Sequence, residues 1–279
     1  MKRTALASIA CCLSLAGCAS SSSSPAPQTP VAPPPPPADP APPAPVAKPA
    51  TAPAPAAEPP SSQPAPAAAA KEVFPHVSFD AARRAVTFDA TVPIHPGSKA
   101  TPIVYLEVLA CVPDTKEHET LVVTTAKASH IHAALLLAGL EPGKPGVYDW
   151  TGPELKSIPP KGAPLNVRFL VTRDGVERAE DPATWVKSLR TEKSLRETNP
   201  RAGFVFAGSL EGRRAGRVVY DADFSGTLIG LTTFGTETIA WSEMYNHDAG
   251  VEDPQWVADK AIVPPLGTAV RVEITPMPQ

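Results

Sequence analysis

The chain has 279 residues, of which 43% are hydrophobic and 19% charged, and its formal net charge is −3 at pH 7. No cluster of lysine or arginine stands out beyond Arg213-Arg214, so the sequence lacks the basic footprint that nucleic-acid-binding proteins carry. Nucleic acids and other polyanions are therefore excluded from the expected partners.

The first 17 residues have the pattern of an export signal. Lys2 and Arg3 are followed by a short apolar stretch from Thr4 to Leu15, which matches the charged and apolar regions of a secretory signal peptide. A membrane-spanning helix needs about 20 apolar residues, and this stretch is shorter. We predict that residues 1–17 are a signal peptide and not a membrane span.

The end of this stretch, Leu15-Ala16-Gly17-Cys18, resembles the lipobox of bacterial lipoproteins. The resemblance implies that Cys18 becomes the first mature residue and carries a diacylglyceryl thioether and an acylated amine, palmitate being a typical acyl group. An ordinary signal peptide with a chance cysteine is the alternative. Because Ala19 follows Cys18, the resemblance favours the outer membrane, with the protein exposed in the periplasm or elsewhere in the cell envelope.

Residues 18–71 consist almost entirely of Ala, Pro and Ser after the cysteine. Such a segment has too little apolar side chain to form a core, and its prolines favour an extended left-handed helix. We predict a disordered, proline-rich, semi-rigid spacer that would reach on the order of 160 Å if fully extended. A docking site for a proline-reading partner is the alternative interpretation.

Residues 72–279 differ in composition, because they hold all four tryptophans and all six histidines. A segment of this length buries a substantial core as one domain or as two closely packed lobes. Cys11 and Cys12 would leave with the signal peptide, so Cys111 would be the one remaining thiol. A lone thiol forms no disulfide within the domain, and stability must come from a hydrophobic core.

Strand patterns dominate this domain. Alternation of apolar and polar residues places Val86, Phe88 and Ala90 on one face of the first strand. Asp174-Gly175 is a typical two-residue hairpin turn. The predicted strands are Ala85 to Val92, Ile103 to Cys111, Leu121 to Thr124, Val167 to Arg173, Phe204 to Ala207, Arg217 to Tyr220, Leu228 to Phe234 and Ala269 to Thr275.

Two helices are predicted between these strands. The first lies near residues 130–139, with Ser129 as its N-cap and Gly139 as its stop, and its apolar residues on all sides indicate burial. The second lies near residues 182–190, where Asp181-Pro182 supplies a cap and a first-turn proline. The predicted fold class is therefore α+β with a mainly antiparallel sheet.

The densest polar cluster is Lys116-Glu117-His118-Glu119, which we place at the tip of a hairpin centred on Thr115. In that hairpin Leu109 would oppose Leu121 and Cys111 would oppose Glu119. A zinc-protease signature requires a second histidine four residues after His118, and Val122 stands there. A solvated, charged hairpin tip is the simplest interpretation.

Other side chains allow a metal- or thiol-dependent site. Cys111 would be reactive only if a nearby cation lowered its pKa, and a small buried hydrophobe is the commoner role. His130 and His132 lie about 200° apart on a helix and cannot converge on one ion. We assign His132 a structural hydrogen bond. The metal candidates are His118, Glu119 and His132, with zinc or copper as the ion.

Several motifs together resemble the YdjY-domain proteins of the bacterial envelope. The motifs are Glu107-Val108-Leu109-Ala110-Cys111, Lys116-Glu117-His118-Glu119-Thr120-Leu121, His132-Ala133-Ala134-Leu135-Leu136, Gly139-Leu140-Glu141-Pro142-Gly143, Phe204-Val205-Phe206-Ala207-Gly208-Ser209 and Gly226-Thr227-Leu228-Ile229-Gly230. The resemblance implies one folded unit from residue 71 onward, and it implies no particular reaction.

The resulting expectation is a lipid-anchored, non-catalytic binding or interaction domain with an envelope protein, cell-wall or small-molecule partner. Its candidate binding residues are Cys111, Glu117, His118, Glu119 and His132. The alternative is a metal- or thiol-dependent site formed by Cys111, His118, Glu119 and His132. A purely structural lipoprotein is a third possibility. No cofactor is required by the sequence.

Overall fold

The computed structural model describes residues 70–152 and 154–277. The predicted signal peptide, the lipidated Cys18 and almost all of the predicted spacer lie outside the described residues. None of the helices in the described part of the chain has the length and apolarity needed to cross a membrane.

The described residues form seventeen short strands and three short α-helices. The strands are β1 (Lys71–Phe74), β2 (Val77–Asp80), β3 (Ala85–Thr91), β4 (Val108–Cys111), β5 (Val122–Val123), β6 (Val147–Asp149), β7 (Lys156–Ile158), β8 (Pro164–Arg173), β9 (Val176–Glu180), β10 (Val186–Ser188), β11 (Phe204–Val205), β12 (Glu211–Arg214), β13 (Arg217–Tyr220), β14 (Thr227–Gly230), β15 (Ile239–Trp241), β16 (Trp256–Ala258) and β17 (Ala269–Pro276). The helices are α1 (Ala128–Leu137), α2 (Leu195–Thr198) and α3 (Ala222–Ser225), and 3-10 turns lie at Glu117–Glu119 and Pro182–Thr184.

Eight of these strands close into a barrel. They follow the order β3-β17-β8-β11-β15-β14-β4-β5, and the pairing of Thr91 in β3 with Val123 in β5 completes the ring. Strands β1 and β2 extend the sheet beyond β3, and β9 pairs with β8. The predicted α+β class is therefore wrong, because the described domain is mainly β and its helices are short.

The barrel wall follows the two-residue period of a strand. In β3, Val86, Phe88 and Ala90 are buried while Asp89 and Thr91 are exposed, as the alternation predicted. Strand β17 pairs with β3 on one side and with β8 on the other. Its buried residues are Val270, Val272 and Ile274, and these meet the buried face of β8 in one apolar core.

The hairpin between β8 and β9 agrees with its sequence signal. Arg173 pairs with Val176 across Asp174 and Gly175, and both turn residues have positive φ, at 52° and 76°. Two residues of positive φ match the right-handed twist of the flanking strands, which explains the Asp-Gly preference at this kind of turn.

The predicted hairpin centred on Thr115 is wrong. Strand β5 runs parallel to β4, with Ala110 paired to Val122 and Cys111 paired to Val123. The connecting loop is tied down by its own polar groups, because Thr115 donates a hydrogen bond to the Val112 carbonyl oxygen and Glu117 accepts from the backbone N–H groups of Asp114 and Thr115. The chain thus turns twice before β5 begins, which a two-strand sequence pattern does not reveal.

The first predicted helix exists, but with different details. Helix α1 has Lys127 as its N-cap residue without a side-chain cap. Ser129 lies inside the first turn, and its hydroxyl and backbone N–H both donate to the Asp223 carboxylate. Gly139, with φ of 71°, ends the helix as predicted. The expected complete burial is wrong, because Leu136 and Leu137 are exposed while Ile131 and Leu135 are buried.

The second predicted helix is wrong beyond its first turn. Asp181 caps as expected by accepting a hydrogen bond from the Ala183 backbone N–H. The 3-10 turn then gives way to β10, which pairs with β16 through Val186 and Ala258. Trp185 and Val186 are fully buried. Tertiary pairing and burial therefore override the helical start signal at Asp181-Pro182.

Candidate functional site

Two neighbouring cavities have Asn246 and His247 in both linings, and we call the two cavities together the Asn246–His247 cleft. The outer cavity has a volume of about 450 Å³ and the inner cavity about 240 Å³. The outer lining is Gly146, Val147, Tyr148, Trp150, Leu210, Thr233, Phe234, Gly235, Thr236, Asp248 and Val251. The inner lining is Tyr105, Leu106, Glu107, Glu119, Thr232, Tyr245, Ala249, Glu252, Asp253, Pro254, Gln255 and Trp256.

Two residues that line the inner cavity, Glu107 and Glu119, belong to a linked group of charged side chains. The Nζ atom of Lys116 lies 3.0 Å from Oε2 of Glu107 and 3.9 Å from Oε2 of Glu119. Nε2 of His118 lies 3.3 Å from Oε1 of Glu119. Two segments bring these groups together, because the Glu107 backbone N–H donates to the Glu119 carbonyl oxygen at 3.1 Å. Lys116 therefore offsets the charge of two adjacent carboxyl groups.

The two carboxyl groups also affect each other. Burial raises the pKa of Glu119, and the hydrogen bond and negative charge of Glu107 raise that pKa further. Lys116 and His118 oppose this rise with their positive charge. The raised pKa makes Glu119 easier to protonate than an exposed glutamate. The carboxyl oxygens of Glu107 and Glu119 offer a ligand hydrogen-bond acceptors.

Aromatic side chains line the outer cavity. Tyr148 lies on β6, and Trp150 follows that strand in the loop that leads to β7, with 62% of its surface exposed. Phe234 and His247 stack with ring centroids 4.6 Å apart, and Nζ of Lys116 lies 4.0 Å from the Phe234 ring centroid. Lys116 thus connects the aromatic wall of the outer cavity with the carboxyl pair of the inner cavity.

The backbone at Phe234 and Gly235 is held in place by hydrogen bonds to Glu237. This carboxylate is buried and accepts hydrogen bonds from the backbone N–H groups of Phe234 and Gly235. Burial raises the pKa of Glu237 despite these bonds. On the opposite side, Nδ1 of His247 lies 3.1 Å from the Thr233 carbonyl oxygen. The backbone therefore fixes both members of the Phe234–His247 stack.

The predicted site residues separate into four places, of which three hold Cys111, Glu117 and the pair His118 and Glu119. His118 and Glu119 contact each other, and Glu119 lines the inner cavity. Glu117 instead binds the backbone of its own loop. Cys111 is fully buried at the end of β4, where burial raises the pKa of its thiol to about 11. The structure therefore connects Glu119 and His118 with the cleft, and gives Cys111 and Glu117 other surroundings.

His132 belongs to a separate polar network under β13. Its Nδ1 atom lies 2.9 Å from the Tyr220 hydroxyl oxygen, which also lies 3.1 Å from the Gly208 carbonyl oxygen and 3.1 Å from Oγ1 of Thr238. The His132 ring packs edge-on against Phe206. Burial lowers the pKa of His132 and so favours its neutral form. These contacts agree with the structural hydrogen bond that the sequence suggested for His132.

The described part of the chain contains no group of three or more His, Cys, Asp or Glu side chains placed to hold a metal ion. His130, which the helical geometry separates from His132, stacks on Phe74 at 5.5 Å between ring centroids. The four side chains of the predicted metal- or thiol-dependent alternative therefore have no arrangement here that supports it.

Sequence reasoning missed most of the cleft. Glu107 was assigned to a strand, and Phe234, His247 and Glu252 attracted no functional interpretation. The only local signal was the charged run at Lys116–Glu119, which the cleft uses through Lys116 and Glu119. The site is completed where the segment from Glu107 to Glu119 meets the segment from Phe234 to His247, as in the contact of Lys116 with Phe234.

The fold and the cleft define a mainly β domain, built on a closed eight-stranded barrel, with an aromatic and carboxyl-lined cleft on its surface. Residues 77–275 match the YdjY domain, so the chain belongs to the YdjY-domain family. Neither a curated protein nor a solved structure matches the chain.

Proposed function

We propose that the chain is a lipid-anchored protein of the bacterial outer membrane, whose YdjY domain is a non-catalytic binding module. The motivation for the anchor is Leu15-Ala16-Gly17-Cys18 after a short apolar stretch. The proline-rich composition of residues 18–71 supports a spacer that holds the domain away from the membrane. Binding takes place in the Asn246–His247 cleft.

The observation that carries the binding function is that an aromatic-lined cavity and a carboxyl-lined cavity lie next to each other and share Asn246 and His247. Ligand sites in proteins are concave, largely apolar and supplied with a few polar groups that fix orientation. Here the outer cavity supplies Tyr148, Trp150 and Phe234 as ring faces, and the inner cavity supplies hydrogen-bonding side chains. A ligand with both an apolar face and several hydroxyl groups fits this division.

The charges of the cleft restrict the ligand further. The lining includes the carboxyl groups of Glu107, Glu119, Asp248, Glu252 and Asp253. These five carboxyl groups outnumber the two cations that pair with them, Lys116 at Glu107 and Arg190 at Asp253. An anionic ligand would meet like charges there, which discriminates against it. We therefore assign the cleft to a neutral or amine-bearing saccharide, whose ring packs on an aromatic face and whose hydroxyls bond the carboxyl groups.

The arrangement of the carboxyl groups and of the thiol supports binding without catalysis. A glycosidase holds its two carboxyl groups apart, so that a sugar carbon or a water molecule fits between them. Here Glu107 and Glu119 share one cation instead, because Nζ of Lys116 lies 3.0 Å from Oε2 of Glu107 and 3.9 Å from Oε2 of Glu119. The thiol of Cys111 is buried with a raised pKa, which is the opposite of what a nucleophilic cysteine requires.

Cell fractionation tests the anchor. We expect Cys18→Ala to move the protein from the membrane fraction to the soluble fraction, because the acyl chains supply the membrane affinity. The parent chain and a Ser20→Ala variant, which leaves the lipobox unchanged, serve as controls. A Cys18→Ala protein that sediments with membranes as completely as the parent would show that the lipidation proposal is wrong.

Calorimetric titration tests the binding site. The full mature chain with Cys18→Ala is titrated with a neutral N-acetylglucosamine oligomer and, separately, with an anionic sulfated dextran. We expect binding of the neutral oligomer alone, and a loss of at least tenfold in affinity for Trp150→Ala, since buried aromatic anchors dominate such interfaces. Phe224→Ala is the matched control, because Phe224 is exposed and aromatic but does not line the cleft.

The titration has two outcomes that reject the site. Equal affinity of the Trp150→Ala and Phe224→Ala proteins would show that Trp150 does not contribute to saccharide binding. Binding of the sulfated dextran in preference to the neutral oligomer would contradict the argument from the five carboxyl groups.

A further inference from the structure

Strands β12 and β13 form a hairpin that is separate from the barrel sheet. Its turn consists of Ala215 and Gly216, which have φ of 49° and 77°, the pattern of a two-residue hairpin turn with positive φ at both positions. The register places Arg214 directly opposite Arg217, and Arg213 opposite Val218. Three arginines are thus collected within the last two residue pairs of one projecting hairpin.

This arrangement is unfavourable for the folded domain taken alone. Like charges directly opposite each other in an antiparallel pair destabilise the pair, and Arg214 and Arg217 occupy such positions. None of the ion pairs among the described residues includes Arg213, Arg214 or Arg217. Among neighbouring acids, the Asp221 carboxylate lies beside Gly212, near the base of the hairpin. The exposed arginines are therefore available for an external anion.

Exposed apolar side chains accompany the arginines. The guanidinium carbon of Arg214 lies 5.1 Å from the Phe224 ring centroid. Phe224 is 52% exposed and Val218 is 59% exposed. Helix α3, which carries Phe224, packs against β13. Because successive residues of a strand point to opposite faces, Arg214 and Arg217 lie on one face of the hairpin, where Arg214 contacts Phe224, and the pair Arg213 and Val218 lies on the other face of the same exposed tip. We call this tip, formed by Arg213, Arg214, Arg217 and Val218 together with Phe224, the arginine hairpin surface.

The combination of charge and exposed apolar area selects among anionic partners. Arginine binds phosphate groups well because its planar guanidinium presents several donors in a fixed geometry. Nucleic acids require a longer basic stripe, which the described surface lacks. A lipid surface instead offers phosphate headgroups next to an apolar boundary, where residues such as Phe224 and Val218 insert beside basic side chains.

We propose that the arginine hairpin surface docks onto a membrane surface that contains anionic phospholipid. This contact is independent of the proposed saccharide site and of the lipid on Cys18, because it uses neither. It revises the expectation, drawn from the sequence alone, that polyanions are excluded as partners. In the sequence, Arg213-Arg214 is too short a basic run to indicate an anion-binding surface. The hairpin register brings Arg217 next to this pair.

Vesicle sedimentation tests this proposal with the full mature chain carrying Cys18→Ala, so that acyl chains do not dominate the result. The vesicles contain phosphatidylglycerol mixed with phosphatidylcholine, or phosphatidylcholine alone. We expect binding to the anionic vesicles only, weakening as salt rises. Each arginine near such a surface contributes about fivefold in partitioning, so Arg214→Gln/Arg217→Gln should bind roughly 30-fold more weakly than the parent.

A matched control keeps the net charge of the test variant. Arg178→Gln/Arg201→Gln removes two exposed arginines from elsewhere on the domain and should bind like the parent. Thermal melting of both variants checks that each is folded. A third variant, Phe224→Ala, should weaken vesicle binding while leaving its salt dependence unchanged, because it removes apolar contact and no charge.

Three results would overturn the proposal. The first is equal loss of binding in the test and control variants, which would indicate a general charge effect. The second is equal binding of the parent to both kinds of vesicle. The third is binding of soluble inorganic polyphosphate without binding of anionic vesicles, which would assign the arginines to a soluble polyanion. None of these results would affect the saccharide titration, which uses a different surface.

Discussion

The Tyr220 hydroxyl is the centre of the polar network that joins α1, β13 and the segment after β11, and Tyr220→Phe removes this hydroxyl alone. A tyrosine hydroxyl has one hydrogen and two acceptor lone pairs. The hydrogen and both lone pairs are used when the hydroxyl donates to the Gly208 carbonyl oxygen and accepts from Oγ1 of Thr238 and from a protonated Nδ1 of His132. The network therefore also predicts the tautomer of His132.

The magnitude follows from the groups that lose a partner. Thr238 is fully buried and His132 is half-buried, and a buried polar group without a partner costs about 1 to 3 kcal/mol. Because the Thr238 hydroxyl and the His132 ring can adjust in part, we expect Tyr220→Phe to lower the free energy of unfolding by about 2 to 3 kcal/mol. For a domain of this size the melting temperature should fall by about 4 to 12 °C.

Guanidinium unfolding followed by tryptophan fluorescence measures this change, with calorimetric melting as a second probe. Tyr105→Phe is the matched control, because the same hydroxyl is removed from a side chain that is 45% exposed, and surface changes usually stay within about 0.5 kcal/mol. If Tyr220→Phe destabilises the chain by no more than Tyr105→Phe, the network contributes nothing measurable and this reasoning is wrong.

Three further predictions concern the barrel and its buried groups. Gly226→Ala should destabilise the chain more than Gly216→Ala in chemical unfolding. Both glycines have φ near 76°, but only at Gly226 would an added Cβ lie 2.1 Å from Oγ1 of Thr115. Equal destabilisation by the two substitutions would refute this close approach. Burial lowers the pKa of His132 below 6.5. The unfolded chain therefore binds more protons than the folded chain, and the free energy of unfolding falls as pH drops from 6.5 through the folded pKa. The difference in free energy of unfolding between the parent and His132→Gln should narrow over this range, and a constant difference would contradict the prediction. Burial raises the pKa of the Cys111 thiol to about 11. At pH 8 a thiol reagent should therefore modify the Cys18→Ala mature chain, whose one thiol is Cys111, only after unfolding in denaturant. Rapid reaction of the native chain would show that the thiol is accessible.

Local sequence patterns predicted those parts of the fold that depend on local physics. The alternation in β3 reports which side of a strand faces the core, and this holds whatever the strand pairs with. The Asp174-Gly175 turn requires two positive φ angles, a demand that few other residue pairs meet. Gly139 ends α1 for the same reason.

Long-range pairing decided the elements that the sequence misplaced. Asp181-Pro182 begins a helical turn, but Val186 pairs with Ala258 more than 70 residues later and continues as a strand. Strand β4 pairs with β14 on one side and with β5 in parallel on the other, so the short connection to β5 gave a misleading hairpin signal. Closure of the barrel through Thr91 and Val123 has no local signature in either segment.

The candidate site shows the same division. Glu119 and Lys116 belong to a charged run that was visible in the sequence, although Glu117 of that run serves its own loop. The rest of the cleft depends on Glu107 meeting Lys116, and on Phe234 meeting His247. These residues come from two distant segments, 107–116 and 234–247, and only the folded barrel brings the two segments together.

The four tryptophans provide the most direct test of the cleft as a ligand site. Trp150 lines the outer cavity and Trp256 lines the inner cavity. Trp185 packs on Phe169, and Trp241 packs on Phe204; neither lines the cleft. The indole N–H resonances of the full mature chain with Cys18→Ala are followed by NMR during titration with a neutral N-acetylglucosamine oligomer. Our account predicts saturable shifts for Trp150 and Trp256 while Trp185 and Trp241 stay unchanged, and it would be contradicted if Trp150 did not shift or if Trp185 and Trp241 moved instead.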